Sequence, residues 1–126
     1  MKEQRFLICK HCGNIVAVVE DAGVDVICCG EKMQDLISNT TDAATEKHVP
    51  VVTVDGCMVT VQVGEVPHPM LPEHYIQWIF VKTEKGGQRK LLTPGSEPKA
   101  EFCLVDDKIL EVYEYCNLHG LWKITM

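Results

Sequence analysis

Val59, Val61 and Val63 alternate with Thr60 and Gln62, the period-two pattern of a half-buried strand. Val52 and Val54 precede them across Asp55-Gly56, a strong hairpin turn pair. His74 to Thr83 reads as a longer strand. Tyr75, Gln77, Ile79 and Val81 are expected on one face, with His74, Ile76, Trp78 and Phe80 on the other. Gly86-Gly87 is expected to turn the chain into Arg89 to Leu92. Phe102 to Val105 and Ile109 to Tyr115 flank Asp106-Asp107, and Leu121 to Thr125 forms a last strand. Several short strands with regular turns predict a small antiparallel β-sandwich. The sequence shows no long amphipathic helix, internal repeat or low-complexity segment.

The first 36 residues read differently. Ile15 to Val19 is apolar, Glu20-Asp21-Ala22-Gly23 is a turn, and Val24 to Ile27 is a short expected strand. So few residues cannot bury a useful core, and a staple is needed. Residues 37–46 are small and polar and read as a linker.

Composition narrows the class. Of 126 residues, 46% are hydrophobic and 24% charged, which is globular rather than disordered. No apolar run approaches the ~18 residues of a membrane span. The charged start, Met1-Lys2-Glu3-Gln4-Arg5, is unlike a signal peptide, so the cytoplasm is expected. A net charge of −6 gives no electrostatic footprint for nucleic acid. It would also repel a small anion unless a local positive group overrode it. Seven cysteines, an odd count without an export signal, point to metal ligands rather than disulfides.

Cys9-Lys10-His11-Cys12 and Cys28-Cys29 are two pairs separated by a short β segment. They can place four thiolates at the corners of a tetrahedron. Four soft thiolates suit zinc, as a staple, or iron, as a one-electron centre. Neighbours in an extended strand face opposite ways, so Cys28 and Cys29 reach one ion only if the backbone turns there. Gly30 helps such a turn. His11 reads as a solvent-facing loop residue.

Four of the five histidines follow the linker. His48 follows Glu46-Lys47, His68 lies between Pro67 and Pro69, and His74 follows Pro72-Glu73. His119 belongs to the turn Cys116-Asn117-Leu118-His119-Gly120. Strand ends and loops are places where side chains from separate strands converge. Four imidazoles and a thiolate are five donors. Zinc prefers four, so this set with one free octahedral position points to iron. Taken one at a time, the same histidines also fit unrelated surface or core roles. The N–H groups of Leu118 and His119 are placed to hydrogen-bond the Cys116 sulfur. Cys57 and Cys103 lie in expected strands without ligand spacing and read as small buried hydrophobes. Trp78 and Trp122 read as core packing, and either could wall the metal.

Together these motifs resemble the desulfoferrodoxins, the two-centre superoxide reductases. Cys9-x-x-Cys12 with Cys28-Cys29 resembles their desulforedoxin-like module. Glu46-Lys47-His48-Val49-Pro50, His68-Pro69-Met70, His74-Tyr75-Ile76-x-Trp78 and Cys116-Asn117-x-His119-Gly120-x-Trp122 resemble their catalytic domain. The likeness spans essentially the whole chain. It implies an all-β protein: a desulforedoxin-like iron–tetracysteine module over residues 1–36, a linker and active-site loop over 37–47, and an immunoglobulin-like antiparallel β-sandwich over 48–126. It implies iron at Cys9, Cys12, Cys28 and Cys29. It implies a second iron, cycling between ferrous and ferric, with His48, His68, His74 and His119 equatorial and Cys116 axial. The implied activity is reduction of superoxide to hydrogen peroxide, with electrons from rubredoxin or a similar carrier, in a homodimer. Lys47 would attract superoxide within one Debye length, ~8 Å in physiological salt. Glu46 would be the sixth ligand of the oxidised iron. No nucleic acid or membrane partner is implied. The alternative is an iron electron-transfer protein without catalysis of its own.

Overall fold

The structure, a computed structural model, describes residues 3–40 and 45–126, without the side chain of Glu46. The chain forms two units, Met1–Ile37 and Ser38–Met126.

In the first unit β1 (Phe6–Ile8) lies between β2 (Ile15–Ala17) and β5 (Gln34–Asp35), antiparallel to both. β3 (Ile27–Cys28) and β4 (Glu31–Lys32) form a separate hairpin. Leu7, Cys9 and Met33 make the interior cluster, with Val18 and Cys28 against it. So small a core does not hold a fold by burial alone. Arg5 adds a clamp, reaching Asp21 at 2.8 Å and Asp35 at 2.9 Å. The strand expected from Val24 begins only at Ile27. Val24 and Val26 have no layer to pack on and stay exposed.

The second unit has two antiparallel sheets. β6 (Pro50–Asp55), β7 (Met58–Val63) and β10 (Lys99–Cys103) run in the order β10-β7-β6. β8 (Ile76–Thr83), β9 (Gly86–Leu91), β11 (Ile109–Cys116) and β12 (Gly120–Thr125) run in the order β12-β11-β8-β9. Val59, Val61 and Val63 are buried, as their alternation predicts, in one cluster with Ile79, Val81, Phe102 and Val112. Among the described residues the chain is all-β except for one helical turn, α1 (Thr45–His48), within what reads as linker. No helix among the described residues is long and apolar enough to cross a membrane.

Three local readings change. β11 pairs Tyr115 with Trp78 but Cys116 with Ile76, so Gln77 is bulged out of register. A bulge shifts the pleat by one residue. Ile76 therefore joins Ile79 and Val81 in the core, while Trp78 stacks on Tyr115 at 5.7 Å. The turn after β8 is Glu84-Lys85, and Gly86-Gly87 already belong to β9. Gly87 instead makes room for a ring, since a Cβ there would lie 2.3 Å from Phe80 Cζ. The β6–β7 turn is Gly56-Cys57, with Asp55 paired to Met58. That displacement takes Cys57 out of the strand. Cys57 and Cys103 are both exposed, which corrects their reading as buried hydrophobes.

The expected linker is partly docked. Asn39 donates from its backbone N to Leu121 O at 2.9 Å and from Nδ2 to Lys123 O at 3.0 Å. Its Oδ1 accepts from Lys123 N at 2.8 Å. Residues 41–44 lie outside the described residues.

Gly64 ties the α1 segment to the sandwich. Its N–H donates to Val49 O at 3.1 Å, and its φ is +84°. A Cβ there would lie 2.4 Å from Val66 O and 2.7 Å from Lys47 O. Both neighbours are backbone and cannot step aside cheaply. Gly64→Ala is therefore expected to lower the unfolding free energy by about 2 kcal/mol or more. Denaturant titration reads this as a lower midpoint, and an unchanged midpoint contradicts it.

Candidate metal centres

The four post-linker histidines arrive from four different places. His48 ends α1, His68 lies in the loop after β7, His74 precedes β8, and His119 sits in the β11–β12 turn. Their rings form a closed cycle. His48–His68, His68–His74, His74–His119 and His119–His48 have centroids 4.7, 4.7, 5.0 and 4.8 Å apart, at interplanar angles of 79–82°. His48 and His74, across the cycle, are 6.5 Å apart. Cys116 Sγ lies 3.8 Å from His119 Nδ1. The five donor atoms all fall within 4.8 Å of one another.

Each donor is held in place. His68 Nδ1 donates to Pro69 O at 2.7 Å, which leaves Nε2 as the lone-pair nitrogen. Leu71 and His74 exchange backbone hydrogen bonds at 2.9 and 3.0 Å. Asn117 pins the same segment: its Oδ1 accepts from Tyr75 N at 2.9 Å and its Nδ2 donates to Glu73 O at 3.1 Å. Trp122 stacks on His48 at 5.0 Å and donates to His119 O at 3.2 Å. It therefore both packs the core and walls the site. Asn117 is not among the metal-ligating residues, and its clamp was not foreseen. Its place inside the Cys116–His119 turn was the available signal.

The donors fit a cation. His48 Nε2 lies 2.9 Å from His119 Nδ1 and 3.2 Å from His68 Nε2. Cis nitrogens on one ion at about 2.1 Å would be about 3 Å apart. His74 Nε2 is buried with no hydrogen-bond partner, which is costly unless it has an ion to bind. Burial holds His68 down to about 4, and burial with His119 nearby also lowers His74. Both are thus in the neutral, ligating form at pH 7. Five nitrogen and sulfur donors exceed what zinc takes and suit iron.

Cys116 is fully buried. Burial raises its pKa, while N–H groups of His119 and Leu118 lower it, as expected from the turn. Glu114, two residues earlier, is also fully buried, and its oxygens have no hydrogen-bond partner. Desolvation pushes its pKa well up, so it is a neutral acid beside the thiol. Glu114 escaped the sequence reading. The signal was its register: it shares the inward face of β11 with Val112 and Cys116.

In the small unit, Cys9, Cys12, Cys28 and Cys29 also gather within 4.8 Å. Cys12 Sγ and Cys28 Sγ are 3.6 Å apart. A sulfur tetrahedron around one ion at ~2.3 Å has edges of about 3.8 Å. The backbone does turn at the adjacent pair, with φ 53° at Cys29 and 77° at Gly30. The N–H groups of Cys12 and His11 pull Cys9 down to about 6, while Cys12 and Cys9 push Cys29 up to about 12. Four crowded sulfurs do not all ionise without a cation among them. His11 faces solvent and pairs with Glu31 at 3.0 Å. Lys47 is exposed, and its charge contributes to lowering His74. The Glu46 side chain lies outside the described residues.

Residues 40–125 match the sequence family described as Desulfoferrodoxin, and residues 2–36 match Desulfoferrodoxin, N-terminal domain. A desulfoferrodoxin of Nitratidesulfovibrio vulgaris is 50% identical over 117 residues, covering 91% of this chain and 90% of that one. A desulfoferrodoxin homolog of Archaeoglobus fulgidus is 48% identical over 115 residues, covering 91% of each. Among solved structures, the superoxide reductase from Treponema pallidum superposes with a TM-score of 0.83 at 44% identity. It covers 98% of this chain and 100% of its own. A superoxide reductase (1Fe-SOR) from Giardia intestinalis gives a TM-score of 0.56 at 35% identity, covering 64% of this chain and 97% of its own.

The lowered histidines set a pH window. An unfolded histidine takes up its proton near 6.5, whereas folded His68 resists until about 4. Below pH 6.5 the unfolded chain therefore binds more protons than the folded one. This contribution to stability is complete above pH 6.5 and is lost as pH falls toward about 4. Metal affinity of the histidine site should fall across the same window, because protons compete for the same nitrogens. Cobalt(II) titration followed by absorption measures it, and an affinity that stays constant from neutral pH to below about 5 contradicts it.

Proposed function

Since this chain belongs to the desulfoferrodoxin family, we propose that it takes superoxide, one electron and two protons to hydrogen peroxide at the histidine–cysteine site. The observation that carries this reading is the closed cycle of four imidazoles joined by a thiol from the protein interior. Iron held there would supply the single electron. The residues of the chain do the rest. His48, His68, His74 and His119 hold the ion without adding charge. Cys116 adds one negative charge, softened by the N–H groups of Leu118 and His119. Glu114 stays neutral and spares the site a second buried anion. His48 and His68 are only 3% and 2% exposed, whereas His74 and His119 are half-buried and within reach of solvent.

Lys47 is assigned the role of attracting the substrate. The chain carries −6 overall, and superoxide is an anion. A cation beside the site overrides that repulsion locally. Glu46 is assigned to the oxidised state, as a carboxylate that would help to hold ferric iron. Residues 1–36 are assigned to the tetracysteine iron module, 37–47 to the connecting and active-site loop, and 48–126 to the catalytic sandwich. Cys12 and Cys29 are exposed, which supports electron delivery by rubredoxin or a similar small carrier. Val19, Val24 and Ile27 are exposed on a module with little core, which supports a homodimer. Seven cysteines with no disulfide among them suit the reducing cytoplasm.

Lys47→Ile removes a positive charge and leaves all five donors. The bimolecular rate with pulse-generated superoxide is expected to fall at least about tenfold. The remaining rate should lose much of its salt dependence, because the screened charge is gone. Glu46→Ala should leave that first encounter nearly unchanged and alter the spectrum of the oxidised protein. Equal rates for wild type and Lys47→Ile would remove Lys47 from the mechanism and weaken the enzyme reading.

Cys12→Ser tests the independence of the two centres. It should abolish the tetrathiolate absorption and leave most superoxide reduction, measured with a chemical reductant. Complete loss of activity in a folded variant would overturn the assignment of catalysis to the sandwich.

A further inference from the structure

Two cysteines belong to neither metal set. Cys57 occupies the β6–β7 turn and Cys103 ends β10. Far apart in sequence, they meet because β10 pairs with β7 up to Met58–Cys103. Leu104 N donates to Cys57 O at 2.8 Å, and Gln88 Nε2 donates to Cys103 O at 3.1 Å, which holds both backbones. Their sulfurs lie 3.0 Å apart, and both residues are exposed. Two free thiols in contact, on a rigid sheet edge and open to solvent, have the arrangement that two-electron oxidation needs.

We propose that Cys57 and Cys103 form a reversible redox pair, a dithiol that hydrogen peroxide converts to a disulfide across the β7–β10 edge. Cys103 donates its S–H toward Cys57, and that hydrogen bond raises the Cys103 pKa. Cys57, the acceptor of that hydrogen bond, is the sulfur that attacks. Its thiolate takes one peroxide oxygen, the O–O bond breaks, and the leaving hydroxide gains a proton to become water. The Cys103 sulfur then attacks the Cys57 sulfenic acid. An S–S bond forms, the S–O bond breaks, and the second water leaves with the Cys103 proton. In sum, two thiols and one peroxide give a disulfide and two waters. A dithiol reductant restores the pair by exchange. That the peroxide comes from the protein's own reaction rests on the function proposed above. The pair's response to peroxide does not.

The test uses the iron-loaded full chain and added hydrogen peroxide, followed by alkylation and peptide mapping. The Cys57 and Cys103 peptides should lose alkylation together and reappear as one cross-linked species, lighter by two hydrogen atoms. Dithiothreitol should return both. Cys103→Ser should stop at a Cys57 sulfenic acid that dimedone traps. The double Cys57→Ser, Cys103→Ser variant should reduce superoxide at the wild-type rate. A second arm supplies superoxide alone. A bridge with added peroxide, but no more peroxide per superoxide than spontaneous disproportionation yields, supports the redox pair and sinks only the enzymatic reading. Undiminished alkylation, separate over-oxidation of each thiol, or a bridge only between chains would overturn the redox pair.

Discussion

Four imidazoles with lone pairs facing one another repel unless a proton or a metal ion stands among them. In the sandwich they face one another at 2.9 and 3.2 Å, and a fourth nitrogen is buried without any partner. Protons are a poor answer there, because burial opposes the charged form of His68 and His74. The arrangement is favourable only around a cation. Much of the local architecture serves to hold that arrangement before the ion arrives. Gly64 lets the Lys47 backbone pass, Asn117 fastens the His74 segment, and Pro69 fixes the His68 tautomer. Donors fixed in advance lose little freedom when the metal binds.

The small module obeys the same electrostatics with less support. Its interior cluster has three buried residues, one of them a ligand. Cys9 ionises easily because backbone N–H groups face it, and Cys29 resists because its neighbours are sulfurs. An ion removes that conflict and fastens the fold in one step. Here metal binding and folding are close to a single event.

Much of this was legible in the sequence, for identifiable reasons. Ligand spacing is a local property, and Cys9-x-x-Cys12 and Cys116-x-x-His119 carry it openly. The valines of β7 announced their strand because one face is buried and the other is not. Features set by pairing between distant strands were hidden. The Gln77 bulge exists only against β11, and it moved Ile76 into the core. The turn at Glu84-Lys85 was masked by Gly86 and Gly87, of which Gly87 is there to clear Phe80. Cys57 looked like a strand residue until the turn was placed one position later. Glu114 was visible in principle, since a charged residue in an inward register is itself a warning.

The two tryptophans sit in different surroundings. Trp78 stacks on Tyr115, whereas Trp122 lies flat against His48 and donates to the His119 carbonyl. A ring in contact with a ligand shares its excited-state energy with whatever that ligand binds. The chain thus carries a built-in optical gauge of its own loading: emission from Trp122 should dim as the ion enters. Assembly of the centre can be watched in real time, without a dye or a label.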